Sequence, residues 1–112
     1  MSVAAYILTL REAAPTYPTL EEVLQAVLDV TKVPLRELYA RRRYIPYCRA
    51  RHLYYYAATV LTREKCDAVS AMLNRDRSTG SHGYRQVLTN PSKFQPELSR
   101  IMARFQKISA AA

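Results

Sequence analysis

The sequence predicts an all-α, multi-helix domain of about six helices, and three observations carry that expectation. Apolar residues recur at three- and four-residue spacing through most of the chain, as a helix with one buried face requires. No segment shows sustained apolar–polar alternation between turn signals, the mark of a half-buried strand. Helix-start and helix-stop residues fall between the periodic segments, among them Thr19, Pro34 and Asn90-Pro91.

Residues 1–18 read as an N-terminal arm or a short helix. Val3–Ala14 is able to dock on the domain, and Pro15 and Pro18 end it. Thr19-Leu20-Glu21-Glu22 fits a capping box, in which the threonine and the glutamate three residues on satisfy each other's backbone N–H. Leu20, Val23, Leu24, Val27 and Leu28 follow at helical spacing, giving a helix at about 19–31. A short helix begins near Pro34, a good first-turn residue, with Leu35, Leu38 and Tyr39 on its apolar side. It runs into Arg41-Arg42-Arg43, and Pro46 breaks it, so the arginines fall on a loop.

A long helix at about 47–62 carries Ala50, Leu53, Tyr54, Ala57, Val60 and Leu61 as its stripe. A fourth at about 64–73 buries Cys66, Val69, Met72 and Leu73. After a tight Asn74-Arg75 link, a fifth starts near Asp76 or Arg77 and runs to about Leu88. Asn90-Pro91 turns the chain into a last helix within 92–109, striped by Leu98, Ile101, Met102, Phe105 and Ile108. The folded unit is thus 19–109, and 110–112 is a frayed tail.

The chain has 112 residues, suited to one domain with a single modest core, and 49% of them are hydrophobic. Its formal charge of +8 is large for that size and implies a polyanionic partner, nucleic acid before an anionic membrane surface. Only Lys32, Lys65, Lys93 and Lys107 are lysines. The remaining basic residues are arginines, whose planar fork matches phosphates and guanine edges. Cys48 and Cys66 have neither metal-ligand nor disulfide-framework spacing and read as reduced thiols of a cytosolic protein. The apolar stretch Val3–Leu10 lacks a basic flank and is too short to span a bilayer, so a soluble, cytoplasmic protein without a membrane partner is expected.

Two nucleotide-binding routes are excluded, and no pattern speaks for a zinc site or a catalytic pair. The two glycines, Gly80 and Gly83, build neither a P-loop nor a dinucleotide fingerprint. His52 and His82 are irregularly spaced relative to the cysteines and make no zinc pattern, and nothing positive marks a catalytic pair. The expectation is a non-enzyme with no cofactor, no metal and no small-molecule substrate.

From Leu38 to Arg63 there is no Asp or Glu, yet the stretch holds Arg41, Arg42, Arg43, Arg49, Arg51 and Arg63. Repulsion among them costs stability unless an anion offsets it, which points to phosphate contacts. Loop arginines of this kind can reach a narrow minor groove, where negative potential is concentrated. Tyr54, Tyr55 and Tyr56 are adjacent and cannot all face one core, so one or two are expected to be partly exposed. The fourth and fifth helices have the proportions of a helix-turn-helix. The second begins Asp76-Arg77-Ser78-Thr79, polar residues suited to base edges in a major groove, with Asp76 also able to cap the helix.

The stretch Arg75-Asp76-Arg77-Ser78-Thr79-Gly80-Ser81-His82-Gly83-Tyr84-Arg85 resembles the signature of the C-terminal, box-binding domain of the bacterial chromosomal replication initiator DnaA. That signature reads Arg-Asp-His-Ser/Thr-Thr, then a His three positions later and a basic pair. Arg41-Arg42-Arg43 is similar to the family's basic loop and Arg49-Ala50-Arg51-His52 to the start of its long helix. The resemblance covers roughly residues 19–108.

The resemblance implies a helix-turn-helix domain that binds a nine-base-pair duplex box. It implies Arg43 in the minor groove and Asp76, Arg77, Ser78 and Thr79 toward the major groove. It also implies phosphate contacts by Arg51, His52 and His82, and Arg41, Arg42, Arg49 and Arg75 are expected to add to them. Departures are Arg77 in place of a histidine, Thr59 in place of a lysine, and Gly80 in place of a β-branched apolar residue. The last is expected to weaken the helix by roughly 1 kcal/mol and to lose core packing. The link before Arg75 is also one residue shorter. The family's ATPase portion is missing, so a stand-alone, nucleoid-associated regulator of replication or transcription is expected. The alternatives are an adaptor that keeps the fold for a protein partner, and a sequence-tolerant nucleic-acid or RNA binder.

Overall fold

A computed structural model describes residues 17–111, with side chains through Phe105. All its regular structure is helical: α1 (Leu20–Thr31), α2 (Leu35–Tyr39), α3 (Ile45–Leu61), α4 (Cys66–Ala71), α5 (Arg77–Thr89), a 3₁₀ turn at Pro91–Phe94, and α6 (Glu97–Ala111). The expected all-α fold of about six helices is what the described residues form. The arm call for Val3–Ala14 lies outside them. Helix α6 runs to Ala111, and of the expected tail 110–112, Ala112 lies outside the described residues.

Local chemistry explains the boundaries. Thr19 caps α1 by accepting the Glu22 N–H at 3.1 Å, and the Glu22 carboxylate accepts the Thr19 N–H, which completes the capping box. Pro34 sits just outside α2 as its N-cap rather than inside its first turn. Helix α2 stops at Tyr39, short of the three arginines. Pro46 does not break a helix; it lies in the first turn of α3, where its missing N–H costs nothing. Helix α3 therefore starts at Ile45, earlier than the spacing alone predicts. Asn74 takes the left-handed conformation at φ 55°, which tightens the turn between α4 and α5.

Helix α3 is the axis of the domain. It packs against α1 on one side and α5 on the other, with α4 beside them and α6 bridging back to α1. This encirclement decides which of the three adjacent tyrosines is partly exposed, and one is, as expected. Tyr54 and Tyr55 are both fully buried, Tyr54 reaching Val69 of α4 and Tyr55 lying against Gly83 of α5, and of the three only Tyr56 reaches the surface, stacked on Tyr84 at 5.6 Å. Val60, expected in the stripe, is exposed instead. The core gathers Val23, Val27, Leu38, Leu53, Val69, Leu73, Val87 and Ile101 around these tyrosines. Asp29 and Arg104 form an ion pair at 2.8 Å that ties α1 to α6. No helix among the described residues is long and apolar enough to cross a membrane.

Candidate nucleic-acid interface

The basic loop, the first half of α3 and the start of α5 enclose one concave cleft of about 720 Å³. Arg41, Arg42 and Arg43 form one wall, and Asn74, Arg75, Asp76, Thr79 and His82 form the other. Cys48, Arg51, His52 and Tyr55 supply the floor from α3. Five arginines and a single carboxylate line it. Most of the residues expected to touch a nucleic acid are thus brought together, although they span Arg41 to His82 in sequence.

Arg41, Arg42 and Arg43 are exposed on non-helical backbone, as expected of a loop. Arg51 is different, and its expected phosphate contact needs correction. It is 8% exposed, and its guanidinium donates only to the protein. Nε donates to the Leu38 carbonyl at 3.0 Å. Nη1 donates to the Arg42 carbonyl at 3.0 Å and faces the Cys48 sulfur at 3.7 Å. Nη2 donates to the Glu37 and Ala40 carbonyls at 2.7 and 2.6 Å. All five donors are used, so none is left for a phosphate.

Arg75 is partly committed in the same way, to the Leu73, Tyr39 and Ala40 carbonyls at 3.0, 3.2 and 2.8 Å. Arg49 is also corrected. It turns away from the cleft to pair with Glu97 and to donate to the Lys93 and Gln95 carbonyls, with its guanidinium 5.2 Å from the Phe94 ring. Burial pushes the Glu97 carboxyl up, but the Arg49 hydrogen bond, helped by its charge, outweighs this and leaves the carboxyl below the usual range. Arg63 lies over the Tyr17 ring at the far end of α3.

At the start of α5, Asp76 is both cap and site residue. One carboxylate oxygen accepts the Thr79 N–H at 3.0 Å, the Thr79 hydroxyl at 2.8 Å and the Ser78 hydroxyl at 2.9 Å. These bonds, the backbone one first, hold its carboxyl below the usual range. The Ser78 and Thr79 hydroxyl protons are therefore taken up by Asp76, and the two exposed oxygens keep lone pairs for other donors. Arg77 is mostly exposed and only 3.6 Å from an equally exposed Asp67, a pairing too solvated to restrain it.

His52 and His82 meet edge-on with ring centroids 6.0 Å apart. Burial, followed by the charges of His82 and Arg51, pulls the His52 imidazole below its ordinary value. Thr59 donates its hydroxyl to the Tyr55 carbonyl at 2.6 Å, on its own helix.

Gly80 and Gly83 let α5 approach closely. A Cβ on Gly80 would stand 1.9 Å from the Ser70 hydroxyl, and one on Gly83 would stand 2.3 Å from the Tyr55 ring. The expected loss of packing at Gly80 does not occur, because Ser70 of α4 fills the space.

Sequence reasoning missed Asn74 as a cleft residue and, on α3, Cys48 and Tyr55. The signal for the last two was present: Cys48, Arg51, His52 and Tyr55 share one helical face by three- and four-residue spacing. Comparison with protein-family models and with curated proteins gave no match for this chain.

Proposed function

We propose that this chain binds duplex DNA sequence-specifically, as a small cytoplasmic, nucleoid-associated regulator of replication or transcription resembling the box-binding domain of DnaA. The supporting observation is the cleft in which exposed Arg41, Arg42 and Arg43 face the N-terminal end of α5 across His52 and His82, with Asp76 the only carboxylate. In this reading α5 enters the major groove. Arg77 donates to guanine O6 and N7, and the remaining lone pairs of Ser78 and Thr79 accept from amino groups of adenine or cytosine. Arg43 enters the minor groove, and Arg41, Arg42 and His82 meet phosphates.

The test is fluorescence anisotropy on duplexes enriched from a random pool, over a range of salt. Replacing Arg41 or Arg42 by alanine lowers the slope of log affinity against log salt by about one each. Arg77→Ala relaxes base preference at one position. Equal affinity for scrambled duplex removes the sequence-specific part of the proposal.

A second reading, an adaptor for a protein partner, draws on a different surface. Val60 and Leu88 are 47% and 50% exposed beside the half-buried Tyr56–Tyr84 stack. Absence of duplex binding at low salt, with a partner lost on Val60→Ser, favours it.

A further inference from the structure

The basic loop ends in two large apolar side chains that the core does not use. Tyr44 is 60% exposed and Ile45 is 78% exposed, the highest value for any large hydrophobic side chain among the described residues. They differ in support. The Tyr44 ring rests edge-on against Tyr47 at 4.8 Å, whereas Ile45 projects from the first residue of α3. Pro46 follows and fixes the backbone, so Ile45 stands on the rigid start of a 17-residue helix rather than on a loose tip. No acid lies in the first turn of α3, nor anywhere between Leu38 and Arg63. Nothing there repels a phosphate strand, and the adjoining Arg43, Arg42 and Arg41 attract one.

We infer that Ile45 is a wedge that enters the minor groove beside Arg43, parts one base step and bends the duplex. This rests on the duplex-binding reading above. Apolar wedges flanked by basic groups kink DNA toward the major groove, and the bend lets more duplex contact the protein. Flexible pyrimidine–purine steps part most readily, so the wedge adds selectivity at a step that no hydrogen bond reads. An anionic membrane is the other surface that takes arginines with apolar groups. The cleft that Arg43 lines is concave, and α3, which carries Ile45, buries Ala50, Leu53, Tyr54 and Ala57 in the core, so it has no free apolar face to lay on a bilayer.

The experiment uses the full chain and the duplex most enriched from a random pool. Dyes at its two ends report bending, and 2-aminopurine at successive steps reports unstacking. Binding is expected to shorten the end-to-end distance and to brighten 2-aminopurine at one step. Ile45→Ala, at an exposed position, melts as the wild type does, but it loses both signals and binds about tenfold more weakly. Ile45→Phe retains them. A duplex that is bound but straight, or one that Ile45→Ala bends equally, overturns the wedge and leaves the binding reading standing. Ile45-dependent binding to phosphatidylserine–phosphatidylcholine vesicles, with a straight duplex, overturns it in favour of a membrane. Failure to bind any duplex at low salt overturns both readings.

Discussion

Arg51 and Arg75 donate to one carbonyl oxygen, that of Ala40, at 2.6 and 2.8 Å. Other donors of the pair reach the carbonyls of Glu37, Leu38 and Tyr39 in α2, and also those of Arg42 and Leu73. A helix leaves its last carbonyls without intrahelical partners, and here two arginines from elsewhere in the fold close that end of α2. The carbonyl dipoles at a helix C-terminus favour cations, which offsets the repulsion between the two guanidiniums. The segment that displays Arg41, Arg42 and Arg43 is thereby pinned on both sides.

Arg51→Ala is expected to destabilise the domain by about 3 kcal/mol, because several buried carbonyls lose a charged donor at once. Arg51→Lys keeps the charge, but one ammonium cannot span four carbonyls, so about 2 kcal/mol is still lost. Urea denaturation of both variants checks this. Wild-type stability in Arg51→Ala refutes the structural role and returns Arg51 to the candidate phosphate contacts.

Adjacent tyrosines should respond to the same substitution with opposite sign. The Tyr54 hydroxyl donates to the Val69 carbonyl at 2.9 Å, which lacks its helical partner because the Leu73 N–H bonds to Ser70 instead. The Tyr55 hydroxyl is buried without any partner. Tyr54→Phe is expected to cost about 1–2 kcal/mol, and Tyr55→Phe to be neutral or stabilising by about 1 kcal/mol. Thermal melts decide, and equal losses at the two positions contradict the assignment.

The parts of this fold that were legible in the sequence are those set by near neighbours. The Thr19–Glu22 capping box and the Asp76 cap depend on residues three apart, and both form as read. Pro46 was misjudged because proline stops one helix and starts another by the same missing N–H. The burial of both Tyr54 and Tyr55 follows from α3 being covered on two sides, which the periodicity of one helix does not encode. Arg51 and Arg49 looked like phosphate ligands because sequence gives a charge and not its partners. The carbonyls around Arg51 lie 9 to 14 residues away, and Glu97 lies 48 residues from Arg49.

Gly80 and Ser70 form a coupled pair. Gly80→Ala alone is expected to destabilise, since its Cβ falls 1.9 Å from the Ser70 hydroxyl. Ser70→Ala removes that hydroxyl, which is buried and unpartnered, and is expected to be neutral or mildly stabilising. In the double variant the new Cβ meets the residue-70 Cβ at 3.2 Å, a contact that a small shift relieves, and α5 gains the helix propensity of alanine. A double-mutant cycle should therefore show a favourable coupling of about 1–2 kcal/mol. Additive effects contradict it.

His52 should give stability and DNA affinity opposite dependences on pH. Burial, then His82 and Arg51, lower its affinity for a proton in the folded state. The unfolded chain therefore binds the proton more readily, and the stability linked to His52 is fully present above its ordinary value of 6.5. That stability is lost progressively as pH falls below 6.5 toward the folded value. A phosphate in the cleft acts in the reverse direction, because it favours the charged imidazole, so binding takes up a proton and affinity rises on acidification. His52→Gln should flatten both curves while keeping a polar side chain over the cleft floor. Denaturation and duplex anisotropy at fixed salt, from about pH 8 to pH 5.5, measure the two slopes. If the variant's affinity rises as steeply as the wild type's, His52 does not face a phosphate and the linkage assigned to it is wrong.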